Sequence, residues 1–275
     1  MRKLLVNKRV LFIITFFITF FGFSQLSKTH YIPPLTYADS NSSLPQDQYI
    51  YISTPSSQNV PFVITQLGQP ISSNIIGTVS NASPIIIAIT GNDSGDNQLF
   101  IPSAQTSVVT SNRGYIIEAE APVYVSIRMN GATSGAQAGA LVSKGLSALE
   151  TTFRIGTFTS VNPQSNYLSF VSVMATEDNT QVIFDYLDKD IELINIVEPG
   201  GVGTFSLTIN LNAGESYLLV AEAEDAVDNR DGLIGVSVTS DLPVVVNSGS
   251  ANGSFHNGGG RDYGIDQIVG ADKIG

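Results

Sequence analysis

The stretch "YISTPSSQNVPFVI", residues 51–64, lies over "VSVMATEDNTQVIF", residues 171–184, at an offset of 120. Each is a β-rich run, a polar turn (Gln58-Asn59 in one, Asp178-Asn179 in the other) and a second β-rich run. The displacement recurs. "APVYVSI" from Ala121 lies over "LPVVVNS" from Leu242 at 121, and "TFRIG", residues 152–156, over "ADKIG", residues 271–275, at 119. Chance similarity among Val/Ile-rich runs would not hold this register across separate anchors, so the spacing predicts two copies of a unit near 120 residues.

Outside these anchors the apolar period is two. Val123, Val125 and Ile127 alternate with Tyr124, Ser126 and Arg128, and "LIGVSVTS" from Leu233 alternates likewise. Further runs at 49–54, 60–65, 84–90, 167–175, 204–210 and 215–221 are separated by Asn, Gly, Asp and Pro. Short runs at this density predict an all-β fold of tandem β-sandwich-like units joined by glycine-rich connectors. The expected organisation is a signal peptide at 1–24, an extended N-terminal segment at 25–44, a first unit at 45–130, a connector at 131–164, a second unit at 165–250, and a connector at 251–275 leading to a further unit. The alternative is one continuous assembly in which the units share strands. A single helix is expected, over "LVSKGLSAL" at 141–149. Glu177-Asp178 reads as the turn of a hairpin rather than a catalytic carboxylate pair.

Arg2, Lys3, Lys8 and Arg9 precede the apolar run Val10–Phe23. That run is shorter than the ~20 residues a spanning helix needs, and Gly22 and Ser24 form a small-residue cleavage site, so residues 1–24 read as a secretory signal peptide. Its removal leaves nine basic against twenty-four acidic residues, a formal charge of −15. Such a surface gains nothing from counterion release, so nucleic acid is excluded as a partner class. The chain has no cysteine, which excludes thiolate metal sites and cysteine nucleophiles, and no tryptophan for indole sugar platforms.

The stretch most like an active-site loop is "GSANGSFHNGGGRDYGIDQ", Gly249–Gln267. Ser254, His256 and Asp262 are the one Ser/His/Asp set that can be drawn, and their order and spacing match no working template. His256, Asp262 and Asp266 are metal-ligand types without a ligand spacing. His30 precedes Pro33-Pro34 and is expected on an exposed, extended lead-in. "DAVDNRDG" at 225–232 departs from a calcium loop, with Val227 at the first ligand position, and "GNDSGDN" at 91–97 lacks the spacing altogether. Plain surface loops are the expectation there, with weak calcium binding the alternative. No catalytic residue and no cofactor is assigned; His256, Arg261, Asp262 and Asp266 are the interaction candidates. Arg261 is expected to pair with Asp262 or Asp266 or to cap nearby carbonyls.

"QYIYISTP", "GAQAGALVSKGLSALETTFRIG", "VSVMATEDNTQVIF", "LNAGESYLL" and "DGLIGVSVTSDLPVVVNSGSANGSFHNGGGRDYGIDQIVG" together resemble the IgGFc-binding protein N-terminal domain family, as found in large surface proteins. In gliding Gram-negative bacteria, such proteins often end in a gliding motility-associated C-terminal domain read by the type IX secretion system. The resemblance implies an exported, β-rich, non-catalytic binding or adhesion region at the cell surface. The implied partner is an extracellular protein or glycan, and no transmembrane segment is expected once the signal is removed. The absent sorting domain suggests that the chain is cut short. The competing readings are a polysaccharide-acting or metal-dependent hydrolase, and a passive structural spacer.

Overall fold

The computed structural model describes residues 25–37, 45–89, 97–131, 137–157, 168–222, 231–253 and 262–273. The first strands are β1 (Ser27–Ile32), β2 (Leu35–Tyr37), β3 (Pro45–Ser53), β4 (Val60–Gln66), β5 (Ile75–Val79), β6 (Ile85–Ala88), β7 (Phe100–Pro102), β8 (Val109–Thr110), β9 (Tyr115–Gly131) and β10 (Gln137–Val142). They are followed by β11 (Glu150–Arg154), β12 (Leu168–Ala175), β13 (Thr180–Asp188), β14 (Thr204–Leu211), β15 (Ser216–Glu222), β16 (Ser237–Gly253) and β17 (Asp262–Gln267). The fold is all-β, as the two-residue period requires.

Two strands of 17 residues each organise everything else. The first part of β9, Tyr115–Ala119, lies between β4 and β1, and its second part, Tyr124–Gly131, lies between β3 and β10. Strand β16 does the same: Ser237–Ser240 runs between β13 and β11, and Asn247–Ala251 between β12 and β17. The change of partners falls at Pro122 in β9 and Pro243 in β16. Proline has no N–H for a ladder, so it fits where one set of neighbours gives way to another. The hydroxyl of Thr54 donates to the Pro122 carbonyl at 2.9 Å, and that of Thr176 to the Pro243 carbonyl at 2.7 Å. A long strand that changes sheets at a bend is how a sandwich makes a corner.

The two parts of β9 bury their inward side chains together. Ile117 from the first part, Val125 and Ile127 from the second, and Ile50, Ile52, Phe62 and Ile64 from β3 and β4 form one apolar cluster. Val238, Val244 and Val246 of β16 join Val171, Val173, Val182 and Phe184 in a second. The layouts match: the orders β5-β4-β9-β3-β6 and β14-β13-β16-β12-β15 each carry two further strands on the long one.

The sheets are not separate bodies. Strand β12 is buried at every position, because both of its faces are covered. Val171, Val173 and Ala175 face the second cluster, whereas Leu168 and Phe170 join the first, with Leu218, Val220, Ala251 and Tyr263. Phe100 meets Tyr263 edge-on with ring centroids 5.9 Å apart. Strand β8 pairs with the edge of β15, and the Ser107 N–H donates to the Leu218 carbonyl at 2.9 Å. Parallel pairing of β2 with β7 completes the covering layer.

Four expectations change here. Residues 141–149 are the end of β10 and a 3-10 turn, Gly145–Ala148, rather than an α-helix; Gly145 has φ +54°, which ends any right-handed run. Glu177-Asp178 precedes a turn with Asn179 at φ +60°, but β12 and β13 do not pair with each other. Each pairs with a different part of β16, so the turn is an arch and not a hairpin. The span expected as a connector contributes β10 and β11 to the sheets, and the 251–275 span contributes β17. Finally, Ala271–Lys273 is a 3-10 turn whereas Thr152–Arg154 is strand, so those two segments are not counterparts; the turn after β17 matches the one after β10.

Candidate binding surfaces

Strand β17 carries the two described members of the candidate set. The Asp262 carboxylate accepts the Ala138 N–H at 2.9 Å, tying β17 to β10. The Asp266 carboxylate receives the Lys144 ammonium on both oxygens, at 2.7 and 2.6 Å. The pair is surface-exposed on the aspartate side, so its worth is a fraction of a kcal/mol, roughly 0.2–1. His256, Arg261 and Ser254 lie outside the described residues, as do residues 1–24. Most of the two acidic loops, residues 91–96 of the first and 225–230 of the second, lies outside them too.

Strand β17 approaches β16 so closely that a side chain on Gly249 would overlap the Gly264 carbonyl oxygen, and Gly249 itself has φ +153°. Glycine here is a packing requirement. Beside this contact is a cleft of about 540 Å³, lined by Gly156, Thr157, Ser248, Tyr263, Asp266 and Ile268 among others. Burial drives the Tyr263 phenol far above its usual range, so it remains neutral and serves as an apolar wall.

The residue that the sequence reading missed is Gln267, fully buried at the end of β17. Its Oε1 accepts the Lys144 N–H at 2.7 Å and lies 3.0 Å from the Ser143 hydroxyl. Its Nε2 donates to the Tyr31 carbonyl at 2.9 Å and to Asn247 Oδ1 at 3.3 Å, while Asn247 Nδ2 donates to the Pro33 carbonyl at 3.1 Å. These bonds fasten β17 and β16 to the N-terminal segment.

His30 is the one histidine among the described residues, and it corrects the expectation of an exposed lead-in. It is fully buried on β1. Nε2 faces the carbonyls of Val123 and Ser27 at 3.0 and 3.2 Å, and Nδ1 lies 2.9 Å from the Ser143 hydroxyl. Burial pushes its pKa below the ordinary value, against the two carbonyls, which favour the charged ring. The clue was in the sequence: "SKTHYI" places His30 in step with Ile32, which is buried.

A second surface lies on the outer face of β5, β4 and β9. Pro61, Val63 and Ile76 form the floor of a shallow groove of about 330 Å³, with Glu118 and Glu120 beside it. Ile76 is 76% exposed. It stands opposite Val63, and the matching ladder position in the other sheet sets Thr208 opposite Ile183. An aliphatic side chain therefore lies in solvent where the fold also accepts threonine.

Among the described residues no helix is long and apolar enough to cross a membrane. No curated protein matches the chain. A family model described as IgGFc binding protein matches residues 138–275, which is half of the chain and takes in every strand from β11 to β17. The chain belongs to this family of binding proteins.

Proposed function

We propose that this protein is an exported, non-catalytic binding and adhesion region built from two copies of one β unit, acting at the outer cell surface on an extracellular protein or glycan. The observation that carries the reading is the family match over residues 138–275. Export rests on the basic and apolar opening at 1–24. A gliding-associated, type IX secreted context belongs to the same proposal, on the strength of the quoted phrases.

The groove of Pro61, Val63 and Ile76 is the proposed docking face for a protein partner. An apolar floor flanked by Glu118 and Glu120, on a chain with a formal charge of −11, fits a segment that sets an aliphatic or aromatic side chain beside Lys or Arg. The test is surface plasmon resonance with immobilised residues 25–275 against immunoglobulin G Fc fragment, other purified extracellular proteins and glycans. Saturable retention of a protein probe, weakened at least tenfold in Ile76→Thr, supports the proposal. Retention of no probe favours a passive spacer, and unchanged retention in Ile76→Thr removes the groove from the reading.

A further inference from the structure

The carbonyls of Val123 and Ser27 only accept, so Nε2 of His30 carries a proton in any state of the ring. The Lys144 N–H only donates, so the amide of Gln267 is oriented with Oε1 toward Ser143. The hydroxyl of Ser143 therefore stands between two acceptors, Nδ1 of a neutral His30 at 2.9 Å and Oε1 of Gln267 at 3.0 Å, with one proton to give. The neutral arrangement leaves one close polar contact without a hydrogen. A proton on Nδ1 supplies it.

The other sheet shows that the fold does not need these polar groups. His30 stands opposite Ile117, and Phe153 stands opposite Val238 at the matching place on β16. The Ser143 N–H donates to Val125, and the Ile268 N–H to Val246, both at 3.0 Å. A histidine–serine pair in one sheet thus occupies the position of a phenylalanine–isoleucine pair in the other, where Phe153 is fully buried and Ile268 packs against its cluster.

The geometry points to a proton-operated clip across the junction of the two sheets. With Nδ1 bare, the Ser143 hydroxyl donates to His30. When Nδ1 takes a proton from solvent it donates to Ser143, and the hydroxyl turns to Gln267, making an unbroken chain of donors from β1 to β17. The ionisable groups on the surrounding elements are Lys28 and Tyr31 on β1, Tyr115, Glu118, Glu120, Tyr124 and Arg128 on β9, Lys144 and Glu150 around the 3-10 turn, and Asp262, Tyr263 and Asp266 on β17. The ring's three hydrogen-bond partners are none of these, since they are two carbonyls and a hydroxyl.

The test is the pH titration of the His30 ring by NMR in residues 25–275 carrying His256→Gln, which leaves one histidine signal. Gln267→Leu removes the hydroxyl's acceptor in the charged state only, so the midpoint falls by about 0.5–1 pH unit, a three- to tenfold loss of proton affinity. Gln267→Glu raises it. Ser143→Ala, the smallest change to the core, lowers it: the Gly145 N–H loses its acceptor in both states, and the charged state loses one bond more than the neutral state. A midpoint indifferent to both the Gln267→Leu and Ser143→Ala changes, or one that rises in them, overturns the clip.

Discussion

The Thr176 hydroxyl donates to the Pro243 carbonyl at 2.7 Å, holding the residue that follows β12 against the point where β16 changes neighbours. Thr54 and Pro122 repeat the contact at the corresponding place in the other sheet. Without the threonine, the proline carbonyl at a partly buried corner loses its side-chain donor. Thr54→Val and Thr176→Val, which keep shape and remove only the hydroxyl, are each expected to cost about 1 kcal/mol by urea denaturation. The two sites share no partner, so the double variant should show their sum to within roughly 0.5 kcal/mol.

One apolar cluster runs from β3 and β9 into Phe170, Leu218 and Tyr263, so the sheets are expected to unfold as one cooperative system. Calorimetry of residues 25–275 should show one endotherm with equal calorimetric and van't Hoff enthalpies. Phe170→Ala should lower its midpoint without splitting it, at about 3–5 kcal/mol. Two transitions would show sheets that fold independently.

Gly249→Ala places a methyl group on the Gly264 carbonyl oxygen in a backbone conformation that L-residues seldom adopt. The expected loss exceeds about 3 kcal/mol, seen as a large drop in melting midpoint and, in hydrogen exchange, loss of protection across β17.

The alternation of Val123, Val125 and Ile127 made the strands legible. The corner was not legible, because a proline between two apolar runs reads as the end of one strand and the start of another. Only the tertiary packing shows that Pro122 and Pro243 lie inside single 17-residue strands. The 141–149 segment misled for a local reason: Leu141 and Leu146 suit a helix, but Gly145 fits closely against Ser27 at positive φ. At the candidate surface, Asp262 and Asp266 stood out as charged groups, and each ties β17 to its neighbours, through the Ala138 N–H and the Lys144 ammonium. Gln267, a neutral residue at the end of the same phrase, carries the buried bonds.

Burial lowers the folded-state pKa of His30 below the ordinary 6.5, so its contribution to stability is full above that pH and is lost as the pH falls. Melting midpoints between pH 7.5 and 5 should therefore decline more in the parent chain than in His30→Phe/Ser143→Ile, which installs the residue types of the other sheet. Equal slopes over that window would mean that His30 does not bind a proton differently in the folded and unfolded states.

Binding without chemistry is read directly from the fate of a bound probe. Residues 25–275 should be incubated with each retained protein or glycan probe, and the probe then weighed by mass spectrometry and assayed for new reducing ends. The expected result is a probe held saturably and recovered intact; its steady conversion to product, abolished by a single carboxylate substitution in the chain, would show an enzyme instead.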